Sequence, residues 1–180
     1  RIFFKECLSL VKSGYQVNLV APNAPNKMIQ GVNVIGVKND SKSRVYRSTI
    51  FAFKVLVRSL RTKSSVYHFH DPELIWIGFV FLLFGKKVVY DVHENVRAQL
   101  TDKKWLKFPK LVSALYGFVE RVAASLFYIV IAEESYSALF QKRSHSVTRV
   151  FNFPVIDTLA QFKVPHSQKK ENGILYVGLV

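Results

Sequence analysis

The sequence predicts an α/β protein with a doubly wound, mostly parallel sheet. From residue 65 onward, β-branched segments alternate with helical segments that are long enough to cross over a sheet. The segment 86–92 contains the unbroken apolar run 88–90, which is typical of a strand that helices cover on both faces. Since strands that alternate with helices pair in parallel through right-handed crossovers, these two observations predict this fold class.

The first sixty residues predict a helix, two strands and a second helix. Apolar residues at helical spacing open the chain, and Gly14 supplies the stop that ends the first helix. Strands are predicted at 15–20 and 31–37, and a loop is predicted over 23–30 because that stretch has two prolines and little periodicity. The second helix, 44–60, carries an apolar stripe and is therefore expected to pack on the sheet.

The remaining chain alternates between strands and helices. Asp71-Pro72-Glu73 is a strong helix start, with Asp71 as the N-cap and Pro72 at the first helical position. The helix that follows is apolar all round and ends at Gly85, so we expect it to be buried. A long irregular loop is predicted after the next strand. The predicted strands are 66–70, 86–92, 128–132 and 147–151, and the predicted helices are 109–127 and 133–142.

Composition excludes several classes of protein. The chain has 180 residues, of which 49% are hydrophobic, so it can bury a core and is not intrinsically disordered. Cys7 is the only cysteine, which excludes a disulfide scaffold. The longest apolar run, residues 74–84, is shorter than the ~18 residues that a membrane-spanning helix needs. The 26 Lys and Arg outnumber the 12 Asp and Glu, and the formal charge of +14 suits an anionic partner.

Histidines and acidic residues collect where the predicted strands end. Ligands of a doubly wound sheet bind outside the carboxyl ends of its strands, so these residues are candidates for a site. The candidates are His68, His70, Asp71, Asp91, His93, Glu94, Glu133, Glu134 and Asn152. We therefore predict a crevice that is rich in imidazole and carboxylate groups at one edge of the sheet.

Structural roles compete with this interpretation for some candidates. Asp71 suits an N-cap, and His68 suits a hydrogen-bonded core residue. Glu133 and Glu134 suit the N-terminal dipole of a helix. His93 has no such explanation, since it follows a buried strand and precedes an irregular loop. His93 is therefore the strongest candidate for a functional side chain.

A metal site is the alternative chemistry for the histidines. His68 and His70 lie two residues apart on one strand face, where they could bind zinc or iron with a carboxylate from the neighbouring strand. No third histidine falls at a recognisable spacing, and Asp71 leads directly into a proline-started helix, so we predict no metal. The glycine-rich fingerprints of nucleotide-binding loops and the G-x-S-x-G serine elbow are both absent from the sequence.

Two motifs are distinctive in combination, HFHDPEL at 68–74 and GKKVVYDVHE at 85–94. They resemble the N-terminal, acceptor-side domain of bacterial GT-B-fold glycosyltransferases of family 4, group 1 type. The further segments that resemble this family are 1–6, 14–17, 150–154 and 174–178. The resemblance implies a Rossmann-like half of a GT-B fold.

The resemblance also implies an activity. The enzyme would transfer a hexose, with retention, from a nucleotide-sugar donor to a lipid-linked glycan acceptor in surface polysaccharide or glycolipid synthesis, with no cofactor beyond this co-substrate. His93 would be the catalytic residue beside the transferred sugar. Acceptor binding would fall to His70, Asp71 and Glu94, and the hinge and donor-proximal positions would be Asn152 and Glu133. If the reaction inverted instead, Asp91 or Glu94 would become the general base.

The same resemblance implies domain boundaries. Residues 1–153 would form the N-terminal domain without its first strand, 154–172 the interdomain linker, and 173–180 the first strand of a truncated donor-binding domain. We expect such a segment to have no transferase activity by itself. Because the first strand of such a sheet is central, we also expect either a gap in the sheet or a gap filled by residues 174–180.

Basic residues concentrate in two segments that also contain aromatic residues. Residues 38–63 hold eight basic residues and one acidic residue, and residues 103–110 hold four lysines. This pattern predicts peripheral docking at the cytoplasmic face of an anionic plasma membrane, while a solvated basic face is the simpler alternative. The predicted membrane-facing residues are Arg47, Lys54, Arg58, Arg61, Lys103, Lys104, Trp105 and Lys107.

Two other readings of the charge remain. No recognised nucleic-acid module appears, so a nucleic-acid partner is not predicted. The rival function from another class is a non-catalytic basic α/β module that binds anionic lipid or polymer.

Overall fold

The chain has the predicted α/β architecture, and its strands form two sheets. The computed structural model describes residues 2–41, 43–103, 106–140, 146–151 and 153. Within this part of the chain, three strands form a first sheet and four strands form a second sheet. Within the same residues, no strand pairing joins the two sheets. The predicted linker and final strand, 154–180, lie outside the described residues.

The first sheet contains β1 (Val17–Pro22), β2 (Lys27–Ile29) and β3 (Val32–Val37) in the order β1-β3-β2. Strands β1 and β3 are parallel, with Val17 beside Val32, whereas β2 runs antiparallel to β3. One edge of β1 is paired and its other edge faces the second sheet.

The loop predicted over residues 23–30 was wrong, because β2 lies within it. Gln30 and Gly31 both have positive φ, 49° and 82°, and these two residues form the tight turn between β2 and β3. Two successive residues with positive φ suit the right-handed twist of a hairpin, which explains the antiparallel pairing. The residues before this turn do not alternate in polarity, so the sequence carried little signal for a strand there.

The second sheet is wholly parallel. Its strands are β4 (Val66–Phe69), β5 (Lys87–Val92), β6 (Tyr128–Ile131) and β7 (Val147–Arg149), arranged in chain order. Strand β5 is central and nearly all of it is buried, as its unbroken apolar run predicted.

The helices cover both sheets. Helix α1 joins a π-helical turn, Ile2–Cys7, to Leu8–Lys12, and helix α2 runs from Arg44–Tyr46 through a π-helical turn, Arg47–Phe51, to Ala52–Arg61. The remaining helices are α3 (Ile75–Leu83, after the 3-10 turn Pro72–Leu74), α4 (Val96–Thr101), α5 (Pro109–Leu126) and α6 (Ser137–Phe140, after the 3-10 turn Glu134–Tyr136). Among the described residues, no helix is both long and apolar enough to cross a membrane.

Helix α4 corrects the prediction of a long irregular loop after β5. The side chain of Asn95 caps this helix, because its Oδ1 accepts a hydrogen bond from the backbone N–H of Ala98 at 3.2 Å. Buried Glu120 of α5 then accepts hydrogen bonds from Arg97 Nε at 2.7 Å and from the Tyr116 hydroxyl at 3.2 Å. The ion pair between Arg97 and Glu120 therefore holds α4 against α5.

The larger core lies between the second sheet and helices α2, α3 and α5. Helix α3 is buried on one side only, since Leu83 is 86% exposed, so the expectation that the whole apolar helix is buried was wrong. On its buried side it packs closely on its neighbours at Gly78. A Cβ at Gly78 would lie 2.6 Å from Cζ of Phe127 and 3.0 Å from Cε1 of Phe69. Both rings belong to the buried core, so neither can move aside at low cost.

We predict that Gly78→Ala destabilises the fold by about 1–3 kcal/mol, because the added methyl group overlaps a buried ring. The measurement is the free energy of unfolding in urea. Phe127→Leu in the same background supplies the control, since the smaller side chain relieves the overlap and the two changes should not be additive. Equal stability of Gly78→Ala and the parent chain would contradict this account of the packing.

Candidate functional site

The histidines and acids of β4 and β5 meet at the carboxyl edge of the second sheet. In the parallel register of these strands, Phe69 lies beside Tyr90, so the next residues, His70 and Asp91, are also neighbours. Side chains alternate between faces along a strand, and Phe69 and Tyr67 point into the core. The period of two therefore brings one set of side chains to the sheet face opposite this core. These are His68, His70, Asp91 and His93.

Asp91 is the centre of this group, which we call the histidine cluster: Glu6, His68, His70, Asp91 and His93. The Oδ2 atom of Asp91 lies 3.1 Å from Nε2 of His93, 3.2 Å from Nδ1 of His70 and 3.6 Å from Nε2 of His68. Only 5% of the Asp91 side chain is exposed, so these imidazoles replace the water that a carboxylate would otherwise bind.

Glu6 is the member of the cluster that sequence reasoning missed. It comes from α1, and its Oε2 lies 3.1 Å from Nε2 of His70, on the side of the ring opposite Asp91. A signal was present in the sequence, since Glu6 falls among the apolar positions of an amphipathic helix and is the first acidic residue of the chain. A charged residue on an apolar helical face needs a partner, and here the partner is His70.

The electrostatics of the cluster favour a charged His70. Burial disfavours the imidazolium, but hydrogen bonds to Asp91 and Glu6 outweigh burial and raise the pKa of His70 to about 9. Burial acts to raise the pKa of Asp91, and the imidazoles more than offset it and hold that pKa well below its usual range. Burial likewise opposes ionisation of Glu6, yet His70 lowers the pKa of Glu6. At neutral pH, an imidazolium therefore lies between two carboxylates.

His93 is held by Asp91 and His70 at its ring and by Tyr136 at its backbone. Its Nε2 lies 2.9 Å from Nδ1 of His70, and the two rings stack with an interplanar angle of 13°. Its backbone carbonyl accepts a hydrogen bond from the Tyr136 hydroxyl at 3.1 Å. The side chain nevertheless keeps 19% of its surface exposed, which is enough for a ligand to touch the ring. His93 thus has the fixed orientation and partial access that a ligand-contacting residue needs.

The other predicted site residues lie around the cluster. Asp71 lies at the N-cap position before Pro72, as predicted, and lines the same cavity as His68 and His70. Its side chain makes no cap hydrogen bond, so the expectation that capping is the role of this carboxylate was wrong. Its carboxylate instead lies 4.0 Å from Arg47 Nη2. Arg47 lies closer to Glu73, at 3.5 Å, and 61% of the Asp71 side chain is exposed.

Glu94 and Glu133 are surface residues outside the histidine cluster. Glu94 accepts a hydrogen bond from Gln99 Nε2 at 3.1 Å, and Glu133 accepts one from the Ser135 hydroxyl at 2.6 Å. After burial, their charges are the next causes that raise the pKa of Tyr136, so both carboxylates lie near the hydroxyl that holds His93. Asn152 lies outside the described residues, as do Lys104 and Trp105.

The cluster also has the donor set of a cation site. Glu6, His68, His70 and Asp91 each offer one ligand atom, and these atoms lie within 4.8 Å of one another. The same atoms already form ion pairs and hydrogen bonds among themselves, and a charged His70 cannot act as a ligand. The prediction that the site needs no metal stays a prediction.

Comparison with family models gives no match for this sequence. Comparison with curated proteins gives no match either. The fold and the histidine cluster therefore define the chain as a Rossmann-like α/β protein with an imidazole–carboxylate site at the carboxyl edge of its parallel sheet.

We predict a pH dependence of stability that follows from His70. A raised pKa stabilises the fold fully below about pH 6.5, and that stabilisation is lost as the pH rises through 9. Relative to His70→Gln, the parent chain should lose up to about 3 kcal/mol of unfolding free energy across this window. The measurement is urea unfolding of both proteins at a series of pH values.

Asp91→Asn provides the control for this prediction. His70 then keeps only Glu6 as a carboxylate partner, so the pH dependence should weaken between pH 6.5 and 9. Parallel stability profiles for the parent chain and His70→Gln would show that His70 does not carry the proton that we assign to it.

Proposed function

We propose that this chain forms the acceptor side of a glycosyltransferase that moves a sugar from a nucleotide-sugar donor to a lipid-linked glycan. One observation carries the proposal: His93 lies at the carboxyl edge of the parallel sheet, oriented by Asp91 and His70 and still partly exposed. This edge is where doubly wound sheets bind their ligands. It is also where the resemblance to family 4 glycosyltransferases expects the sugar-contacting histidine.

The proposed chemistry needs positioned polar groups more than a protein nucleophile. The bond between the sugar C1 and the nucleoside diphosphate breaks, a new bond forms from C1 to the acceptor oxygen, and the acceptor proton ends on the departing diphosphate. The transition state resembles an oxocarbenium ion. A fixed imidazole can hold a sugar hydroxyl in place as that charge develops, and the neighbouring carboxylate of Asp91 is of the stabilising sign.

The described residues do not include a phosphate-binding feature for the donor nucleotide. The described part of the chain has neither a glycine-rich phosphate loop nor a basic cluster beside the histidine cluster. In the proposed enzyme, the donor is therefore held by a second domain, and the 180 residues supply the acceptor half of the cleft. Retention of configuration is part of the proposal through the family resemblance alone.

Membrane docking is the second part of the proposal. Beside the segment 103–110, α5 exposes Leu111, Leu115 and Phe118, with 67%, 64% and 60% of their surfaces accessible. These positions recur at helical spacing, so they form one apolar stripe, and Lys107 and Lys110 at its start are exposed. An apolar stripe with lysines beside it suits the interface of an anionic bilayer.

The predicted basic residues of α2 are less available for lipid than Lys107 and Lys110, because two of them are already paired with acidic residues. Arg47 pairs with Glu73 at 3.5 Å, and Lys54 pairs with Asp40 at 3.0 Å. Arg58 and Arg61 are exposed. We therefore assign the main contact with lipid to α5 and the segment before it. The exposed side chains of Arg58 and Arg61 add positive charge to the protein surface.

The first prediction from this proposal concerns His93. A disaccharide linked through pyrophosphate to a short polyprenol should bind the chain, and His93→Ala should weaken that binding by about tenfold, because a hydrogen bond to the sugar is lost. Saturation-transfer NMR and titration measure the binding. Nucleotide sugars with UDP, GDP and dTDP serve as donor-side probes in the same experiment.

Tyr128→Phe is the matched control, since Tyr128 begins β6 at the opposite, amino edge of the sheet. It should bind the glycan as the parent chain does. Binding that is unchanged in His93→Ala, or the lack of binding of any glycan probe, would contradict the proposal. A preference for anionic polymer over glycan would favour the non-catalytic basic module.

A second prediction concerns lipid. The chain should sediment with vesicles that contain phosphatidylglycerol, and the double variant Lys107→Glu/Lys110→Glu should bind at least about tenfold more weakly, because each basic residue near the surface contributes ~1 kcal/mol. High salt should weaken the binding of the parent chain.

The control is Lys12→Glu/Lys87→Glu, which makes the same change in net charge at two exposed positions on other elements. It should retain most of the binding. Equal binding of the parent chain to neutral and anionic vesicles would exclude the electrostatic mechanism, and equal loss in both double variants would assign the effect to net charge alone.

A further inference from the structure

The residues that follow β7 begin at the same level of the sheet edge as His93. In the parallel register, Val92 of β5, Ile131 of β6 and Arg149 of β7 lie side by side. The ladder continues one residue further, since the backbone N–H of Val150 donates to the carbonyl of Ile131 at 3.0 Å. His93 and Val150 are therefore level with each other and two strands apart. Neighbouring strands lie about 4.8 Å apart, so Val150 lies about 10 Å from His93.

The exit segment, which we define as residues 150, 151 and 153, then returns toward the first sheet. Strand β7 is at the opposite side of the second sheet from β4. Nevertheless, Nζ of Lys5 on α1 donates a hydrogen bond to the carbonyl of Phe153 at 3.0 Å. The next residue of α1, Glu6, contacts His70 at the end of β4. The exit segment therefore crosses the carboxyl edge of the sheet on the side of the histidine cluster.

Two phenylalanine rings of the exit segment are open to solvent. Phe151 is 43% exposed and Phe153 is 74% exposed. Their ring centroids lie 5.7 Å apart, and the planes of the rings meet at 64°. Single apolar residues on a surface need no explanation, but two rings in contact at the edge where such a sheet binds its ligands indicate a surface for a ligand.

The surroundings of the two rings favour a sugar as the occupant. A pyranose has hydroxyl groups around its rim and C–H bonds on its faces. The face of an aromatic ring carries partial negative charge, so it attracts the weakly positive C–H bonds of a sugar face. The imidazole of His93 can meanwhile form a hydrogen bond with a hydroxyl on the rim.

A hydrocarbon chain fits this edge less well than a sugar. It could pack on the rings, but it would also remove water from the charged histidine cluster and offer no hydrogen bonds in return, which costs free energy. Apolar rings beside hydrogen-bonding side chains match a ligand that has both kinds of surface.

We propose that Phe151 and Phe153 form an aromatic platform that stacks on a pyranose ring of the acceptor, while His93 holds a hydroxyl of the same glycan. The inference rests on the proposed function, because it assigns both contacts to one acceptor. The separation of about 10 Å between His93 and the start of the exit segment is close to the length of a disaccharide, so one disaccharide can reach both.

The platform also predicts a preference among sugars. A β-glucoside has an uninterrupted C–H surface on each face of its ring, whereas an α-mannoside has an axial oxygen on each face. Stacking needs close contact between the ring and the C–H bonds, so the platform should select the β-glucoside. Phe151 and Phe153 are thus specificity-determining residues of the proposed acceptor site.

The experiment measures which protein protons contact the sugar. The chain is prepared with its 15 phenylalanines protonated in an otherwise deuterated background, and methyl β-cellobioside is the probe. Saturation of the phenylalanine ring protons should transfer to the C–H protons of a sugar face more than to the methyl group. Titration should show that Phe151→Leu/Phe153→Leu binds about tenfold more weakly, because two ring contacts are lost. A methyl α-mannobioside should bind the parent chain more weakly than the cellobioside.

Two further variants separate the ring contact from a structural effect. Phe151→Tyr/Phe153→Tyr keeps both aromatic faces and should bind as the parent chain does. Phe84→Leu is the matched control, since Phe84 is 61% exposed and follows α3 at the amino edge of the sheet, and it should leave binding unchanged. If the double leucine variant does not fold, Phe153→Leu alone replaces it, because Phe153 is the more exposed ring.

The variant His93→Ala distinguishes this inference from the proposed function. Ring transfer and weaker binding in the leucine variant, with no effect of His93→Ala, would support the platform and contradict the proposed role of His93. Binding that depends on His93 without ring transfer would overturn the platform and leave the proposed function standing. Lack of binding of every glycoside would overturn the platform. Ring transfer to the chain of farnesyl phosphate and not to the glycosides would also overturn it, because the rings would then bind lipid.

Discussion

The ion-pair chain from Glu6 through His70 to Asp91 is the side-chain interaction that joins the two sheets of this fold on one face. Helix α1 packs on the first sheet through Cys7, Val32 and Val34, whereas His70 and Asp91 belong to the second sheet. Since no backbone hydrogen bond joins β1 to β4 in the described residues, the two sheets depend on helices and side chains for their relative position. Helix α2 serves this purpose on one face, and the contact between Glu6 and His70 serves it on the other.

The same interaction determines what the site can do. Asp91 is nearly inaccessible and is held ionised, and His70 is held charged between two carboxylates, so neither is suited to exchange protons near neutral pH. Their function is to position. They fix the ring of His93, which is more exposed and ends the same strand. A rigid charged support beside one accessible imidazole is the arrangement that the proposed contact with a sugar would use.

The sequence predicts the strand segments of the second sheet well, because apolar runs and the alternation of polar and apolar residues can be read from neighbouring positions in the chain. The same period of two brings His68, His70, Asp91 and His93 to one face, so the centre of the site was predictable. Three features were not. Strand β2 depends on a turn with two positive φ values, and helix α4 depends on the Asn95 cap and the partner Glu120 on α5. The position of Glu6 on an apolar helical face indicates that it needs a partner, but spacing along the chain cannot identify that partner as His70, because tertiary packing brings the two together.

The cavity between the sheets and the histidine cluster are parts of one surface, since His68, His70 and Asp71 line that cavity. Any group that enters this cavity removes water from these side chains. Loss of water disfavours the charged forms of His70, Glu6 and Asp91 alike, while the fall in local dielectric strengthens the attraction of His70 to the two carboxylates. Because His70 also contacts the ring of His93, occupancy of the cavity and the support of His93 are coupled through one charged side chain.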